Sequence, residues 1–330
     1  MNEELKRKMR EILLDCYGLD IKEAVVHFST QNYAFIFPGQ PYMIRVSMTP
    51  KKTQDEIISE LMWVDDLKAY GQTICEPNTS LHNKILETFE IDGITYRASM
   101  FRTARGNVQV TTKMNPMFFI CVGELLGTIH RASTEERELG MHYKRNSMAQ
   151  AFEEHKAVAF PKMDPKICDR ILEIEEKVNQ LPQEIGQYGL CHGDFHLNNF
   201  FVEANNIWLF DFDGCAYADY MYDVASFIQG CLLFGYMPGK DRRQVIEEDI
   251  LPYFKTGYEL NQKCDEHYWD NLELFIEYRT ALTAMALSEV DACGVVDDLA
   301  QIKQFFQYVL SQDDIYEAMT QMSRMQGEKQ

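Results

Sequence analysis

Residues 190–202 read Leu-Cys-His-Gly-Asp-Phe-His-Leu-Asn-Asn-Phe-Phe-Val, and residues 210–214 read Phe-Asp-Phe-Asp-Gly. The first stretch places Asp194 and Asn199 five positions apart between two apolar runs, and the second places Asp211 at the end of another apolar strand. The intervening Glu-Ala-Asn-Asn at 203–206 is typical of a hairpin turn. This pattern predicts that two strands and one loop bring three oxygen ligands to one spot.

Oxygen ligands in this combination fit phosphoryl transfer, which depends on positioning and charge neutralisation. One carboxylate is needed near the attacking hydroxyl group, and an amide oxygen with a second carboxylate can hold Mg²⁺ against the phosphates of a nucleotide. Asp194 can fill the first role, and Asn199 and Asp211 the second. The alternative is that the three residues are only part of a hairpin. That interpretation explains the turn, but it does not explain why carboxylates stand at the ends of the two strands.

The His-Gly-Asp triplet, the Asp-to-Asn spacing, the strand ending in Asp211 and the Tyr-Asp-Val-Ala at 222–225 together resemble the aminoglycoside phosphotransferase and choline kinase superfamily. These small-molecule kinases are relatives of the protein kinases, whose loop reads His-Arg-Asp. Gly193 in place of that Arg points to the small-molecule branch. Arg45 stands where protein kinases have a lysine, and this replacement occurs in the branch that resembles homoserine and choline kinases. The resemblance implies an α+β, two-lobed, protein-kinase-like fold. Residues 1–103 would form a small antiparallel sheet lobe that covers the nucleotide, and residues 104–330 a larger, mainly helical lobe for catalysis and substrate binding.

Two charged residues of the small lobe gain a role from the same resemblance. Arg45 aligns with the kinase strand lysine that contacts the α- and β-phosphates, and Glu60 aligns with the helix glutamate that pairs with it. A guanidinium can bind carboxylate or phosphate in a bidentate manner, although its planar head changes the geometry. The alternative is an Arg at a strand edge and a solvated Glu on a helix.

The remaining nucleotide contacts are predicted from two loops. Residues 28–34 stand where a kinase carries its glycine-rich loop and contain no glycine, so Ser29 and Thr30 would contact phosphate with their hydroxyl groups, and a plain β-turn explains the stretch equally well. Main-chain groups of Ser99, Met100 and Phe101 would bind adenine in the family's hinge. The alternative for Met100 and Phe101 is an ordinary place in the core.

Two residues next to the central motif have open roles. Asp213 shares a face with Asp211 if the strand continues, whereas a turn at Gly214 could direct it towards the metal or away from it. His196 could transfer a proton, but an imidazole that shapes the loop is the favoured interpretation. Asp223 is expected to fix the loop by hydrogen bonds.

Apolar spacing predicts the other elements. Helices are expected over 3–17, 54–70, 117–131, 167–181 and 219–234, strands over 25–36, 42–47, 85–91 and 94–101, a polar, partly mobile segment over 133–165, and three or four further helices over 245–322.

Composition narrows the function classes further. The 330 residues include 51 acidic and 32 basic side chains, a net charge of −19, which argues against a nucleic-acid or anionic-membrane partner. Nine cysteines without a Cys-x-x-Cys pair argue against a disulfide framework and a zinc site. This cysteine pattern predicts a reducing cytoplasm. The sequence shows no apolar segment of signal-peptide or membrane-spanning type, and a monomer or homodimer is expected.

The resemblance therefore implies an ATP-dependent, Mg²⁺-assisted kinase, with GTP as an alternative nucleotide. Its acceptor would be a hydroxyl group of a small, amine-bearing metabolite or antibiotic, such as an aminoglycoside, a choline-like or a homoserine-like alcohol. The amine is inferred from acidic residues in the carboxy-terminal helices, while Arg279 could instead bind a substrate carboxylate. Two rival functions are a kinase for protein Ser or Thr residues and a non-catalytic nucleotide-binding regulator.

Overall fold

The computed structural model describes residues 3–28, 32–48, 52–71, 73–107, 115–182, 187–204, 206–234, 241–264, 267–290 and 299–327. The chain divides into two compact units. The first unit comprises Met1–Gly106, Tyr143–Arg145 and Trp208–Asp213, and the second comprises Asn107–His142, Asn146–Ile207 and Gly214–Gln330. A small sheet and a mainly helical remainder confirm the α+β prediction.

The first unit contains a six-stranded antiparallel sheet in the order β1-β2-β3-β6-β4, with β5 also paired to β6. Its strands are β1 (Val25–Phe28), β2 (Asn32–Ile36), β3 (Tyr42–Ser47), β4 (Pro77–Asn78), β5 (Glu87–Ile91) and β6 (Ile94–Arg102). The stretch 25–36 was expected to be one strand, but it folds back on itself so that Val25 pairs with Ile36. The polar residues Ser-Thr-Gln-Asn at 29–32 separate the two apolar arms and are the sequence signal for this reversal.

Two helices pack in the first unit. Helix α1 (Glu3–Tyr17) buries Met9, Leu13, Cys16 and Tyr17, which lie on one face and join the core formed by the inner strands. Helix α2 (Gln54–Asp66) begins at a capping box between Thr53 and Glu56 and continues into a 3₁₀ turn, Leu67–Tyr70.

The second unit is mainly helical. Its helices are α3 (Pro116–Glu138), α4 (Met148–Ala159), α5 (Pro165–Asn179), α6 (Met221–Phe234), α7 (Arg242–Gln244), α8 (Leu251–Tyr258), α9 (Leu272–Glu289), α10 (Leu299–Leu310) and α11 (Ile315–Gly327), with a π-helical turn at Val245–Ile250. Strands β7 (Tyr188–Cys191) and β10 (Ala216–Asp219) pair antiparallel. Strands β8 (Phe200–Glu203) and β9 (Asn206–Leu209) form the predicted hairpin.

The polar segment 133–165 contains more helix than the sequence predicts. Helix α3 continues to Glu138, and α4 begins at a capping box between Ser147 and Gln150 and buries Phe152 completely. The capping signal Ser-x-x-Gln is present in the sequence, but the many charged residues around it obscure the narrow apolar face. No helix among the described residues is long and apolar enough to cross a membrane.

Candidate active site

The loop after β7 depends on a glycine in the left-handed conformation and on a buried carboxylate. Gly193 has a φ of 81°, and a Cβ atom placed on it would lie 2.0 Å from the carbonyl oxygen of Gly214. Asp223, on α6, is fully buried and accepts hydrogen bonds from the main-chain nitrogens of His192 (2.6 Å) and Gly193 (2.8 Å). The expected role of Asp223 in fixing the loop is therefore confirmed.

The buried imidazole of His130 contacts the Asp223 carboxylate. His130 on α3 lies 3.3 Å from the Asp223 carboxylate through Nε2 and 2.7 Å from the Tyr258 hydroxyl group through Nδ1. Burial lowers the pKa of His130, against the opposing hydrogen bond to Asp223. His130 is thus a packed structural residue.

The Asp194 carboxylate is contacted on both oxygens. Arg279 on α9 donates to Oδ1. The Asn199 side-chain nitrogen donates to Oδ2 at 3.1 Å and to the Asp194 main-chain oxygen at 2.8 Å. These bonds turn the amide nitrogen of Asn199 towards Asp194, so its amide oxygen is the atom left for a cation. The structure therefore brings Asp194 and Asn199 together in the way that the motif predicted.

His196 completes the surroundings of the carboxylate. Its Nδ1 accepts a hydrogen bond from the Asn198 main-chain nitrogen at 3.2 Å, which leaves the proton on Nε2, 3.3 Å from Asp194 Oδ2. A histidine held in this tautomer donates to Asp194 and does not accept its proton. The geometry favours the loop-shaping interpretation.

Arg279 is the residue of this site to which the sequence assigned a different role. Besides Asp194, its guanidinium donates to the Tyr222 hydroxyl group at 2.9 Å and to the Gly193 carbonyl at 3.3 Å. Burial alone would raise the pKa of Asp194, but Arg279 and then His196 outweigh it and hold that pKa well below its usual range. The available signal was one arginine within the apolar stripe of α9.

In the first unit, Arg45 on β3 and Glu60 on α2 form a buried ion pair. Arg45 Nη2 lies 2.8 Å from Glu60 Oε1, and the two side chains are 8% and 0% exposed. The Arg45 guanidinium also lies over the Phe101 ring, 4.9 Å from its centroid. The alternative of a strand-edge Arg and a solvated Glu is wrong, because neither side chain is solvated.

Asp211 and Asp213 also belong to the first unit. Asp211 is exposed and has a φ of 66°, a conformation that non-glycine residues rarely adopt. The Asp213 carboxylate accepts from Lys52 and from Asn32 Nδ2 (3.3 Å), and Arg145 donates to its main-chain oxygen at 2.7 Å. Burial alone would raise the pKa of Asp213, but Lys52 and Arg45 lower it well below its usual range.

Comparisons with known proteins identify the family. The sequence model of the phosphotransferase enzyme family matches residues 20–247, about two thirds of the chain. The chain belongs to this family. Amicoumacin kinase of Bacillus subtilis is 23% identical over 253 residues, which cover 74% of each chain.

Solved structures show that this phosphotransferase has the protein-kinase-like fold. An amicoumacin kinase in complex with AMP-PNP, Ca²⁺ and Ami has a TM-score of 0.81 at 20% identity, covering 94% of this chain and 96% of that one. A microcompartment-associated aminopropanol kinase has a TM-score of 0.70 at 15% identity, covering 91% and 94%. The choline kinase of Streptococcus pneumoniae has a TM-score of 0.60 at 12% identity, covering 94% and 99%.

The residues predicted to bind adenine through their main chain lie inside the sheet. Ser99, Met100 and Phe101 lie within β6, which pairs with β3 along this stretch, and Met100 and Phe101 also pair with Asn78 and Pro77 of β4. Strands on both sides leave Met100 and Phe101 no open main-chain edge for adenine. The chain leaves the sheet after Arg102, so residues 103–106 hold the first main-chain groups outside it. Ser29 and Thr30 lie outside the described residues.

The acidic residues expected to attract a cationic substrate are largely engaged. Glu273 pairs with Arg243 (3.1 Å), Glu277 with Arg170 (2.7 Å) and Glu289 with His155 (2.6 Å), and Glu259 accepts from Trp269 at 3.1 Å. Residues 265, 266, 291, 297 and 298 lie outside the described part of the chain. The local excess of carboxylates alone thus gives little support for an amine.

The close approach at Gly193 predicts a large effect of one added methyl group. Gly193→Ala should lower the free energy of unfolding by about 2–5 kcal/mol, because left-handed strain and a clash with the Gly214 carbonyl add together. Gly140→Ala is a matched control. Gly140 has a φ of 75°, and no heavy atom of the described residues beyond its chain neighbours lies within 4 Å of the position that a Cβ atom would take there. Urea unfolding should show a loss of only about 1–2 kcal/mol for the control. Equal losses in both variants would contradict the account of the loop.

The buried Arg45–Glu60 pair predicts a separation of stability from nucleotide binding. Glu60→Ala should lower the free energy of unfolding by about 3–5 kcal/mol, because it leaves the Arg45 charge buried without its partner. The double variant Arg45→Met with Glu60→Leu should recover most of that stability, yet bind Mg-ATP more weakly than the parent. Urea unfolding and calorimetry measure the two effects.

Asp55→Ala is the control for this pair, because it breaks the exposed pair with Lys144, whose side chains are 61% and 71% exposed. Asp55→Ala should lower the free energy of unfolding by less than about 1 kcal/mol. If the apolar double variant regained nucleotide affinity together with stability, the Arg45–Glu60 pair would have only a structural role.

Proposed function

We propose that this phosphotransferase transfers the γ-phosphoryl group of ATP to a hydroxyl group of an amine-bearing small molecule. The observation that carries the proposal is the fixed position of the Asp194 carboxylate. Asn199 and Arg279 donate hydrogen bonds to it, and the loop that bears it donates main-chain hydrogen bonds to Asp223. A carboxylate fixed in this way can orient an acceptor hydroxyl group towards a phosphoryl group and accept its proton as the bond forms.

The cation would be held by Asn199 and Asp211. The amide nitrogen of Asn199 is used by Asp194, which leaves the amide oxygen as a ligand, and Asp211 presents an exposed carboxylate. Amide and carboxylate oxygens are the donors that Mg²⁺ and Ca²⁺ prefer. When bound, the cation neutralises charge on the phosphates of the nucleotide. AMP-PNP and Ca²⁺ in the similar amicoumacin kinase support an adenine nucleotide and a divalent cation.

Nucleotide contacts from the first unit follow from the Arg45–Glu60 pair. Glu60 fixes the guanidinium of Arg45, and Glu60, Asp213 and Asp211 raise the pKa of Arg45 against the lowering effect of burial. A permanently charged guanidinium is suited to the α- and β-phosphates. Main-chain groups of residues 103–106, rather than those of Ser99 to Phe101, would bind the base.

An amine-bearing acceptor is supported by the structural similarity to an aminopropanol kinase and to a choline kinase. Arg279 lends no support to the alternative of a carboxylate-bearing acceptor, because its guanidinium already faces Asp194, Tyr222 and the Gly193 carbonyl. The rival function of a protein Ser/Thr kinase is less favoured, since Gly193 and the family match both fit small acceptors. Intact Asp194, Asn199 and Asp211 argue against a non-catalytic regulator.

Pairs of acceptors that share a carbon skeleton test the proposal. Each amino alcohol or aminoglycoside is incubated with Mg-ATP beside its analogue in which a methyl group replaces the amine, and mass spectrometry follows the gain of one phosphoryl group. We expect phosphorylation of at least one amine and a rate that falls as salt rises. Phosphorylation of only the amine-free analogues would overturn the prediction that the acceptor carries an amine. Phosphorylation of only a Ser/Thr peptide would support the rival function of a protein Ser/Thr kinase.

A further inference from the structure

Arg279 connects the catalytic loop to two helices of the second unit. It lies on α9, its side chain is 17% exposed, and its neighbours along the helix face, Phe275, Ile276 and Leu282, are buried. From this position one guanidinium reaches Asp194 Oδ1, the Gly193 carbonyl and the Tyr222 hydroxyl group of α6. A long cation buried in an apolar face needs such partners, because burial without them is costly.

Tyr222 is a second side-chain partner of the guanidinium. Its side chain is 1% exposed, and its ring packs against Tyr278 with the centroids 6.1 Å apart. The Arg279 guanidinium lies 5.7 Å from the Tyr222 ring centroid, and its Nη1 donates to the Tyr222 hydroxyl group. The planar fork of an arginine can serve Tyr222 and Asp194 at the same time, whereas a lysine ammonium cannot match this spacing.

The contacts of Asp194 divide between its two oxygens. Asn199 and His196 approach Oδ2, and Arg279 approaches Oδ1. A carboxylate has about four lone-pair sites, so Oδ1 keeps one for the proton of an acceptor hydroxyl group. Because Arg279 donates to Oδ1, it fixes the orientation of the carboxylate and therefore the direction of this lone pair.

We infer that Arg279 is a positioning residue, which holds the Asp194 carboxylate in the orientation that phosphoryl transfer requires. The inference rests on the proposed function, since it assigns a role through Asp194. Arg279 acts through the position of Asp194 Oδ1 and not through contact with the nucleotide.

A double-mutant cycle tests this role, using an acceptor that the parent enzyme phosphorylates. Arg279→Met should lower kcat by about 10- to 100-fold, the effect expected of a reacting group misplaced by about 1 Å, with the KM for ATP little changed. In the Asp194→Asn background, the same change should lower kcat by less than about threefold, because the group that Arg279 positions is already inactive. A purely structural role would instead lower kcat equally in both backgrounds.

The control and a conservative variant sharpen the cycle. Arg170→Met breaks the pair with Glu277, which lies on α9 two positions before Arg279 and is linked to Arg170 at 2.7 Å. It should leave kcat within about twofold of the parent. Arg279→Lys should recover only part of the activity, since the lysine cannot serve Asp194 and Tyr222 together. Full recovery by lysine would show that only the charge matters and would overturn the positioning role.

Crystal structures of the parent and Arg279→Met provide a readout that needs no acceptor. We expect a changed orientation of the Asp194 carboxylate in the variant and an unchanged main chain at 192–199. An unchanged Asp194 side chain would contradict the inference even if kinase activity were established. Absence of phosphoryl transfer by the parent would count against the proposed function, while a reoriented Asp194 would still support the role of Arg279.

Discussion

Asp194→Asn should reduce kcat by about 10²-fold or more while leaving the affinity for Mg-ATP nearly intact. The asparagine has the same shape and can still accept from Arg279 through its amide oxygen. Its amide nitrogen takes the place of Oδ2 and cannot accept from Asn199 or His196, but Asn199 keeps its hydrogen bond to the main-chain oxygen of residue 194, so the loop should keep its conformation. What it loses is the negative charge and the ability to take the acceptor's proton. Steady-state kinetics with an acceptor that the parent phosphorylates measure the loss in kcat, and calorimetry measures nucleotide affinity.

Glu277→Gln is the control for the Asp194 variant. It also removes one carboxylate that pairs with an arginine of the second unit, at the Arg170–Glu277 contact of 2.7 Å. Its kcat should stay within about twofold of the parent, as is usual for a partly exposed ion pair. Near-parental turnover by Asp194→Asn would exclude Asp194 from the reaction.

Asp211→Asn should abolish most of the Mg²⁺-dependent affinity for ATP, because a neutral amide replaces the carboxylate that carries most of the ligand charge. Asparagine is chosen over alanine since Asp211 has a φ of 66°, and asparagine tolerates this left-handed conformation. Asn199→Ala should weaken binding less, because it removes a neutral ligand. Calorimetric titration with the magnesium complex of AMP-PNP measures both effects.

Asp92→Asn is a matched control for the metal ligand. Asp92 has a φ of 53° in the turn between β5 and β6, and its carboxylate pairs with Lys8 at 2.6 Å. The substitution is the same and the main-chain conformation is similar, but no effect on nucleotide binding is expected. If Asp211→Asn bound the nucleotide as tightly as Asp92→Asn, the cation would have to be held by other residues.

Local sequence signals predicted the parts of the structure that depend on short-range physics. The apolar spacing in α1 and the stop at Gly18 gave a helix over 3–17, which agrees with Glu3–Tyr17. The turn at 203–206 gave the β8–β9 hairpin. The helix and the hairpin are each encoded within a short stretch of neighbouring residues. The hydrogen bonds from the loop to Asp223 span 30 and 31 positions, and they were predicted from the family motif.

Contacts between distant residues could not be predicted in the same way. Arg279 is 85 positions from Asp194, and Lys52 is 161 positions from Asp213. Such pairs form only after helices and strands have packed, and a charged residue in an apolar stripe indicates a buried partner without saying which one. The same limit explains why Glu277 and Glu289 were interpreted as available for a cationic substrate, although their partners are Arg170 and His155.

Phosphorus NMR of the complete reaction tests the central claim most directly. The parent enzyme and Asp194→Asn are each incubated with Mg-ATP and an amine-bearing alcohol, and the phosphorus-containing products are identified. The account predicts that the parent forms ADP and a phosphate ester on the hydroxyl oxygen in equal amounts, and that Asp194→Asn forms almost none. A phosphorylated nitrogen, or equal ester formation by the parent and Asp194→Asn, would contradict it.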